Sequence, residues 1–388
     1  MSHPILFDLA PLSCGCTDHV LDTMYKALSD PPDSDLLYKP HHSPYLRQII
    51  EEVTHAGQRI LANIQNDLIK QFTADVTGLL KADNKNHWNR WNQKQLNDAK
   101  EKLERKTPDR YSIDDWMLFV DWLIQKYLPA DVIEKESQYL AVRSTIAGKL
   151  QANTDEKKYT STRVENMVLS LPFKINDIPF SINAREYSVI EFARTRAAEL
   201  ISGIGDRTRH RIKHIILEHE YLNAANDPQA SQWQLQSQLL GEFGTLNRDW
   251  RRIALTETVR NANEGFLAGL PEGTRVRRVE AYEDACNFCQ KIHGMEFNVV
   301  SASKKNKNGE TEVWVGKTNQ YRSSSPRKRV DSELVERTPA EMWWPAAGTQ
   351  HPNCRGSWVQ VTANSADVSD DFVQWLNNLL EKERRENG

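Results

Sequence analysis

Four side chains in this sequence have the types and the spacing of a chelate. Cys286 and Cys289 stand three apart in CNFC, His351 and Cys354 stand three apart in HPNC, and 61 residues lie between the pairs. Two ligands with two residues between them can be aimed at one centre by a single tight turn, and two such turns approach the tetrahedral Cys3His set of structural zinc. Sulfur and imidazole donors favour zinc over magnesium or calcium. The long gap is tolerable because loop-closure cost grows only with the logarithm of length. Structural zinc can return on the order of 10 kcal/mol or more to a small domain, so the expected design is a metal pinning a hairpin-bearing loop to the last strand. Two other readings stand beside it: buried inert thiols, and a redox CxxC, around which no βαβ pattern is found. His293 is an alternative fourth ligand, or an ordinary loop histidine. A closed four-ligand shell has no position for water, which argues against hydrolysis; a lone acid such as Glu283 ahead of the CxxC is weak support for a general base.

The remaining candidates are poorer. Cys14 and Cys16 are too close to chelate one ion readily and have no partner pair beside them, and His41–His42 is equally isolated. Five cysteines are an odd number for a disulfide framework, and in a reducing compartment paired cysteines are more often metal ligands. The 388 residues carry a net charge of -3, with 39% hydrophobic and 27% charged residues, a globular composition without the electrostatic footprint of a nucleic-acid binder. No apolar run approaches the roughly 18–20 residues of a membrane span, and the N-terminus lacks the basic start of a secretory signal. The chain reads as made in a cytoplasm, with no membrane contact.

The elements that must position the four ligands follow from periodicity. Residues 1–44, broken by Pro and Asp, read as an extended arm. Apolar residues from Leu46 to Leu79 recur at three- and four-residue steps, one face of a long helix. A polar helix follows and stops at Pro108. Ser112 with Asp115 caps a helix that ends before Pro129; its Trp116, Phe119, Trp122 and Tyr127 are either core or a partner-binding face. Another helix covers 130–150. The stretch 151–182 loses periodicity and reads as a connector with short strands. Asn183 with Glu186 caps a second helical block, read as a helix to about Ile204, a helix opened by Asp206, a turn at 226–228, a helix over 229–243, and a last helix closed by Gly269 and Pro271. Beyond Pro271 the pattern turns to β: TRVRRVEAY, GMEFNVV and TEVWVG, with Asn308–Gly309 as a hairpin turn signal, a basic loop at 321–330, and GSWVQVT as the final strand. An amphipathic helix ends the chain. The fold class expected is mainly α in the N-terminal and central regions, with a small C-terminal α+β domain (an antiparallel hairpin or sheet) pinned by the Cys3His site. The domains are an arm at 1–44, a helical domain at 45–150, a connector at 151–182, a helical region at 183–270, the Cys/His domain at 271–362 and a helix at 363–388.

Three of these stretches together resemble one family. RIALTETVRNANEGFLAG at 252–269, DACNFCQKIHGMEF at 284–297 and HPNCRG at 351–356 resemble, in order and spacing, the signature of phage head-morphogenesis proteins of the Mu F-like minor head type. The resemblance covers roughly 185–362. Gly356 departs from it, since the family often has a cysteine there; the lead RRVEAYEDAC and the long segment 301–345 depart as well. The resemblance makes Thr256, Glu257, Asn261, Gly265, Gly294, Pro352 and Arg355 signature positions, with packing rather than chemical roles. It implies a non-enzymatic minor head protein of low copy number, with the portal and major head proteins as partners, in the virion head after assembly in the host cytoplasm, and with packaged or ejected DNA as a further contact. A zinc-stabilised nucleic-acid binder is the alternative, resting on the basic stretches 207–214 and 322–329 with Trp314 and Trp358 nearby in sequence. A metal-dependent hydrolase or toxin-like effector is a third reading; the first 180 residues show no nucleophile elbow, phosphate loop or HExxH.

Overall fold

The apolar steps after Tyr45 build helix α1 (Pro44–Phe72), which buries Leu46, Ile49, Val53, Leu61, Ile64 and Leu68 along one stripe. The structure, a computed structural model, describes residues 44–72, 93–106, 111–153, 168, 170–172, 174–225, 231–280 and 285–361, together with Gln374, Asn378 and Arg385, which are helical. The expected arm up to residue 43, the helical periodicity beyond Phe72, the turn at 226–228 and nearly all of the expected C-terminal helix lie outside these residues.

Helix α2 (Gln93–Glu104) is the polar one. Helix α3 (Ile113–Tyr127) opens on a capping box: the Asp115 amide donates to Ser112 Oγ at 3.2 Å and the Ser112 amide donates to Asp115 Oδ2 at 2.9 Å. Its Trp116 and Phe119 are buried, with Tyr111 edge-on to Trp116 at 5.1 Å, so this part of the aromatic face is core, while Trp122 and Tyr127 are half-buried. Helices α4 (Ala130–Asn153), α5 (Ala184–Ala224) and α6 (Gln232–Ala268) are long. The breaks expected near Gly203–Gly205 and after Phe243 do not occur. A glycine inside a helix costs roughly 1 kcal/mol against alanine, and the buried stripe Ile201, Ile204, Ile212 and Ile216 carries α5 through its two.

Two compact units divide the chain, and neither is one continuous stretch. Thr54–Glu134 and Glu199–Arg251 make one; residues 44–53, Lys135–Ala198 and residues 252–361 belong to the other. In the first, Gly57 lies against the Trp250 indole, where a Cβ would stand 2.1 Å from ring atoms. Buried Asp121 accepts from Lys213 at 2.7 Å and pairs with Arg209 at 2.8 Å.

The second unit carries the site. Leu46, Ile49, Leu140, Ile146, Ile190, Ala193 and Ala254 form its helical core. Val168, Leu171, Ile178 and Phe180 join that core, so the described part of the expected connector is packed structure; it contains one 3-10 turn (Ile175–Asp177) and no strand among the described residues. Helices α4 and α6 meet at two glycines. A Cβ on Gly265 would stand 2.3 Å from the Thr145 carbonyl oxygen, and one on Gly148 1.9 Å from that of Ala262.

Past Leu270 the chain forms β1 (Arg275–Val279), the short helix α7 (Asn287–Ile292), β2 (Glu296–Val299), β3 (Glu312–Val313), β4 (Arg327–Val330), β5 (Glu333–Glu336) and β6 (Ser357–Gln360). One sheet has the order β3-β2-β1-β6, with β1 antiparallel to both β2 and β6; β4, at the end of the expected basic loop, forms a separate antiparallel pair with β5 just beyond it. The hairpin expected around Asn308–Gly309 is not made, because β3 runs parallel to β2. The turn there is local: Asn308 O accepts from the Glu312 amide, and Gly309 lies under the Trp344 ring, 2.2 Å from it at an added Cβ. The inner face of the sheet packs Val276, Phe297, Val299 and Trp358 against Phe266, Leu267 and Ala152. The protein is thus mainly helical with a small C-terminal sheet. No helix among the described residues is long and apolar enough to cross a membrane.

Candidate metal centre

Two tight turns bring the predicted ligands together. Cys286 is the N-cap of α7, its sulfur accepting from the Cys289 amide at 3.5 Å, so one helical turn points both sulfurs the same way. On the other side, the Cys354 amide donates to the His351 carbonyl at 3.2 Å, and Asn353 takes the left-handed conformation that asparagine tolerates, φ 66°. His351 Nε2 then lies 3.2 Å from Cys286 Sγ and 3.3 Å from Cys289 Sγ. Ligands at 2.0–2.3 Å around one tetrahedral ion stand about 3.5 Å apart, so these separations suit a shared ion.

His351 is prepared for the task. Its Nδ1 is 2.7 Å from the Pro352 carbonyl oxygen, which can only accept, so a neutral ring that donates there turns the Nε2 lone pair to the sulfurs. Its ring stacks on Trp343 at 6.1 Å between centroids. His293 faces elsewhere: its Nδ1 accepts from the Glu280 amide at 3.0 Å, and it belongs to neither ligand group described here.

Among the described residues those groups are two. Cys286, Cys289 and His351 offer ligand atoms within 4.8 Å of one another, and so do Glu280, Cys289 and Cys354, with Cys289 common to both. Cys289 and Cys354 are fully buried. A hydrogen bond from Cys289 holds the Cys354 thiol well below its ordinary pKa; burial works against this, and the charge of Arg278 and the backbone groups of Gln350 and Gly356 add to it. All three cysteines are free of disulfides.

Arg278 and Glu280 close the inner side. Both side chains are wholly buried; Arg278 Nε donates to Glu280 Oε1 at 2.7 Å, Nη1 to the Gly348 carbonyl at 3.1 Å and Nη2 to Cys354 Sγ at 3.6 Å. Burial opposes the guanidinium charge, but Glu280, Cys354 and Cys289 outweigh it and raise its pKa. Two thiols and a carboxyl crowded together with one cation beside them form a donor set suited to a further cation. The cluster is therefore compatible with a metal site.

Thr256 of the signature helix and its neighbour Asn263 hold the HPNC knuckle in place. Thr256 Oγ1 accepts from the Asn353 amide at 3.0 Å, and Asn263 Nδ2 donates to the Gly356 and Gly348 carbonyls at 2.8 and 3.4 Å. Glu257 and Asn261 both accept from Arg196 of α5, the latter at 2.6 Å, and Arg260 pairs with Glu264 at 3.4 Å. Gly265 serves the α4–α6 crossing. Gly294, at φ 81°, turns the chain from α7 into β2, its amide donating to the Arg278 carbonyl. Pro352 supplies the carbonyl under His351, and Arg355 is buried. Sequence reasoning missed Arg278, Glu280 and Gln350. The signal for the first two was present: with Val276 facing inward, period-two alternation puts Arg278 and Glu280 on the same face.

Comparison with family models, with curated proteins and with solved structures returns no match.

Proposed function

We propose that this chain is a non-enzymatic minor head protein of a tailed phage or prophage, acting in head assembly near the portal, and that its Cys/His cluster is a structural zinc clamp. The observation that carries the reading is the meeting of three separated motifs. The helix end IALTETVRNANEG grips the HPNCRG knuckle through Thr256 and Asn263, and that knuckle faces CNFC through His351. These are the stretches on which the family resemblance rests, and their mutual contacts support it independently of their order in sequence.

On this reading Cys286, Cys289, His351 and Cys354 hold zinc, which supplies a cross-link between residues far apart in the chain and leaves the work of the module to packing. A role in holding shape accords with the surroundings: Asn263 and Arg278 beside the cluster hold backbone carbonyls, and Arg278 also holds Glu280. The nucleic-acid alternative draws less support, because Arg209, Arg211 and Lys213 of the first basic stretch pair with Asp121, Asp206 and Glu242 of the same chain. That leaves little of its charge for a phosphate backbone.

Two measurements test the proposal. Elemental analysis should find one zinc per chain, lost in Cys354→Ala together with stability of the Cys/His module. Particles purified from induced cells should contain the chain with portal and major head proteins; finding it only as a free monomer outside particles overturns the head assignment.

A further inference from the structure

The second ligand group contains a residue that neither the spacing nor the resemblance assigns. Glu280 follows β1 directly, is wholly buried, and presents Oε2 and Oε1 at 3.8 and 3.9 Å from Cys354 Sγ. Its place in the knuckle is defined by a residue without a side chain. A Cβ built on Gly356 would stand 2.2 Å from Glu280 Cδ and Oε1 and 2.3 Å from Oε2. The carboxylate thus fills the volume into which a side chain at position 356 would project, two residues beyond Cys354.

We propose that Glu280 is a ligand of the metal centre, a carboxylate from the strand replacing a donor at position 356. The inference rests on the metal-centre reading above. Arg278 Nε holds Oε1 at 2.7 Å, which fixes the carboxylate plane as ligating carboxylates usually are fixed, and turns the group toward Cys354. The bond formed is a dative one from a carboxylate oxygen to the ion; nothing is oxidised or reduced. Cys289 is common to both groups, so an ion that it holds would draw its further ligands from Cys286 and His351 of one group and from Glu280 and Cys354 of the other. Structural zinc is almost always four-coordinate and catalytic zinc sometimes takes a fifth ligand, so Glu280 would enter either as one of four ligands or as a fifth. A hard oxygen among thiolates also broadens the ions the site accepts toward borderline metals such as cobalt(II).

Cobalt(II) titration of the full chain tests this, because its visible absorption reports the donor set and its near-ultraviolet bands report thiolates. Glu280→Gln should shift the visible bands and weaken cobalt binding at least about tenfold. Superimposable bands overturn the proposal even if affinity falls, since the carboxylate then acts from outside the ligand sphere. Circular dichroism checks that this variant folds. Should it not, Glu280→Ala/Gly356→Cys decides: it removes the carboxylate that would collide with the new side chain and should add thiolate-to-cobalt intensity. Unchanged thiolate intensity in the folded double variant overturns the proposal. A wild-type chain that binds no cobalt removes the metal-centre reading itself, a result distinct from either variant's failure.

Discussion

Asn263 ties a helix to two loops with one amide, donating to Gly356 O and Gly348 O. Both carbonyls border the cluster, and Asn263 is buried. Asn263→Ala leaves them without this donor in a site closed to water, at an expected cost of about 1–3 kcal/mol. Urea unfolding should show a lower midpoint with an unchanged slope; an unchanged midpoint would mean that the amide carries no load. At this scale the sequence was informative where spacing encodes geometry. CNFC and HPNC disclose their ligands because a tight turn leaves few ways to arrange two donors. Arg278 and Glu280 stayed hidden because an inward strand position is ordinarily apolar, so a charged residue there reads as exposed until its partner is found. That partner is the next inward-facing residue, just past the end of the strand, and the two form an ion pair in the interior.

Elements carry a different kind of information. The crossing of α4 and α6 depends on Gly148 and Gly265, each facing a carbonyl of the opposite helix. Gly265→Ala pushes a methyl to within 2.3 Å of the Thr145 oxygen, and because that neighbour is backbone the helices must separate. The expected loss is at least about 1–3 kcal/mol, the usual cost of overpacking. Gly148→Ala should lose a similar amount, and the double variant less than the sum, since one separation relieves both; full additivity in thermal or urea unfolding argues against a shared crossing. The long segment before the HPNC knuckle offers a pH test. Lys328 hydrogen-bonds the Glu341 carboxylate, and the Thr338 amide and hydroxyl donate to it at 2.9 and 3.0 Å, lowering its pKa from 4.5 to about 2. The folded value lies below the unfolded one, so this turn is stabilised above pH 4.5 and loses that support as pH falls through about 2. NMR titration of the Glu341 carboxyl should give a midpoint near 2, tracked by the Thr338 amide; a midpoint near 4.5 contradicts the network. Helix existence and caps were legible in the sequence, as Ser112 and Asn183 show. Helix breaks were not, because the interior glycines of α5 and α6 are outweighed by apolar stripes on either side. The parallel β2–β3 pairing was also hidden, since Asn308–Gly309 marks a turn without stating what returns from it.

At the scale of the whole molecule, a serial division of the sequence does not describe how the second unit is built. Its core takes Leu46 and Ile49 from α1, Leu140 and Ile146 from α4, Ile190 and Ala193 from α5, and Ala254 and Ala262 from α6. Lys149 of α4 also pairs with Glu186 of α5, both buried, at 3.0 Å. A fragment of residues 183–388 contains all the predicted ligands but lacks α1 and α4. Removing them uncovers the apolar faces of α5 and α6 and takes away the lysine that pairs with Glu186. The fragment should therefore show no cooperative thermal transition with zinc present, whereas the full chain should; a cooperative fragment would show that the helical core is dispensable. Local periodicity finds the helical stretches, but it misses their continuity through Gly203–Gly205 and past Phe243 and is silent on which distant faces share a core.

The β4–β5 hairpin has one more consequence. Its tip, Asp331 and Ser332, adopts left-handed φ of 47° and 72°, is exposed, and closes where Val330 pairs with Glu333. Chain leaving the hairpin at this tip returns to almost the same place. Each doubling of an inserted loop costs only about 0.6 kcal/mol in closure entropy, and exposed tips are where insertions are best tolerated. An epitope or fluorescent reporter spliced between Asp331 and Ser332 would ride on the molecule as a passenger, giving a visible handle for following the chain in cells without touching the residues that hold it together.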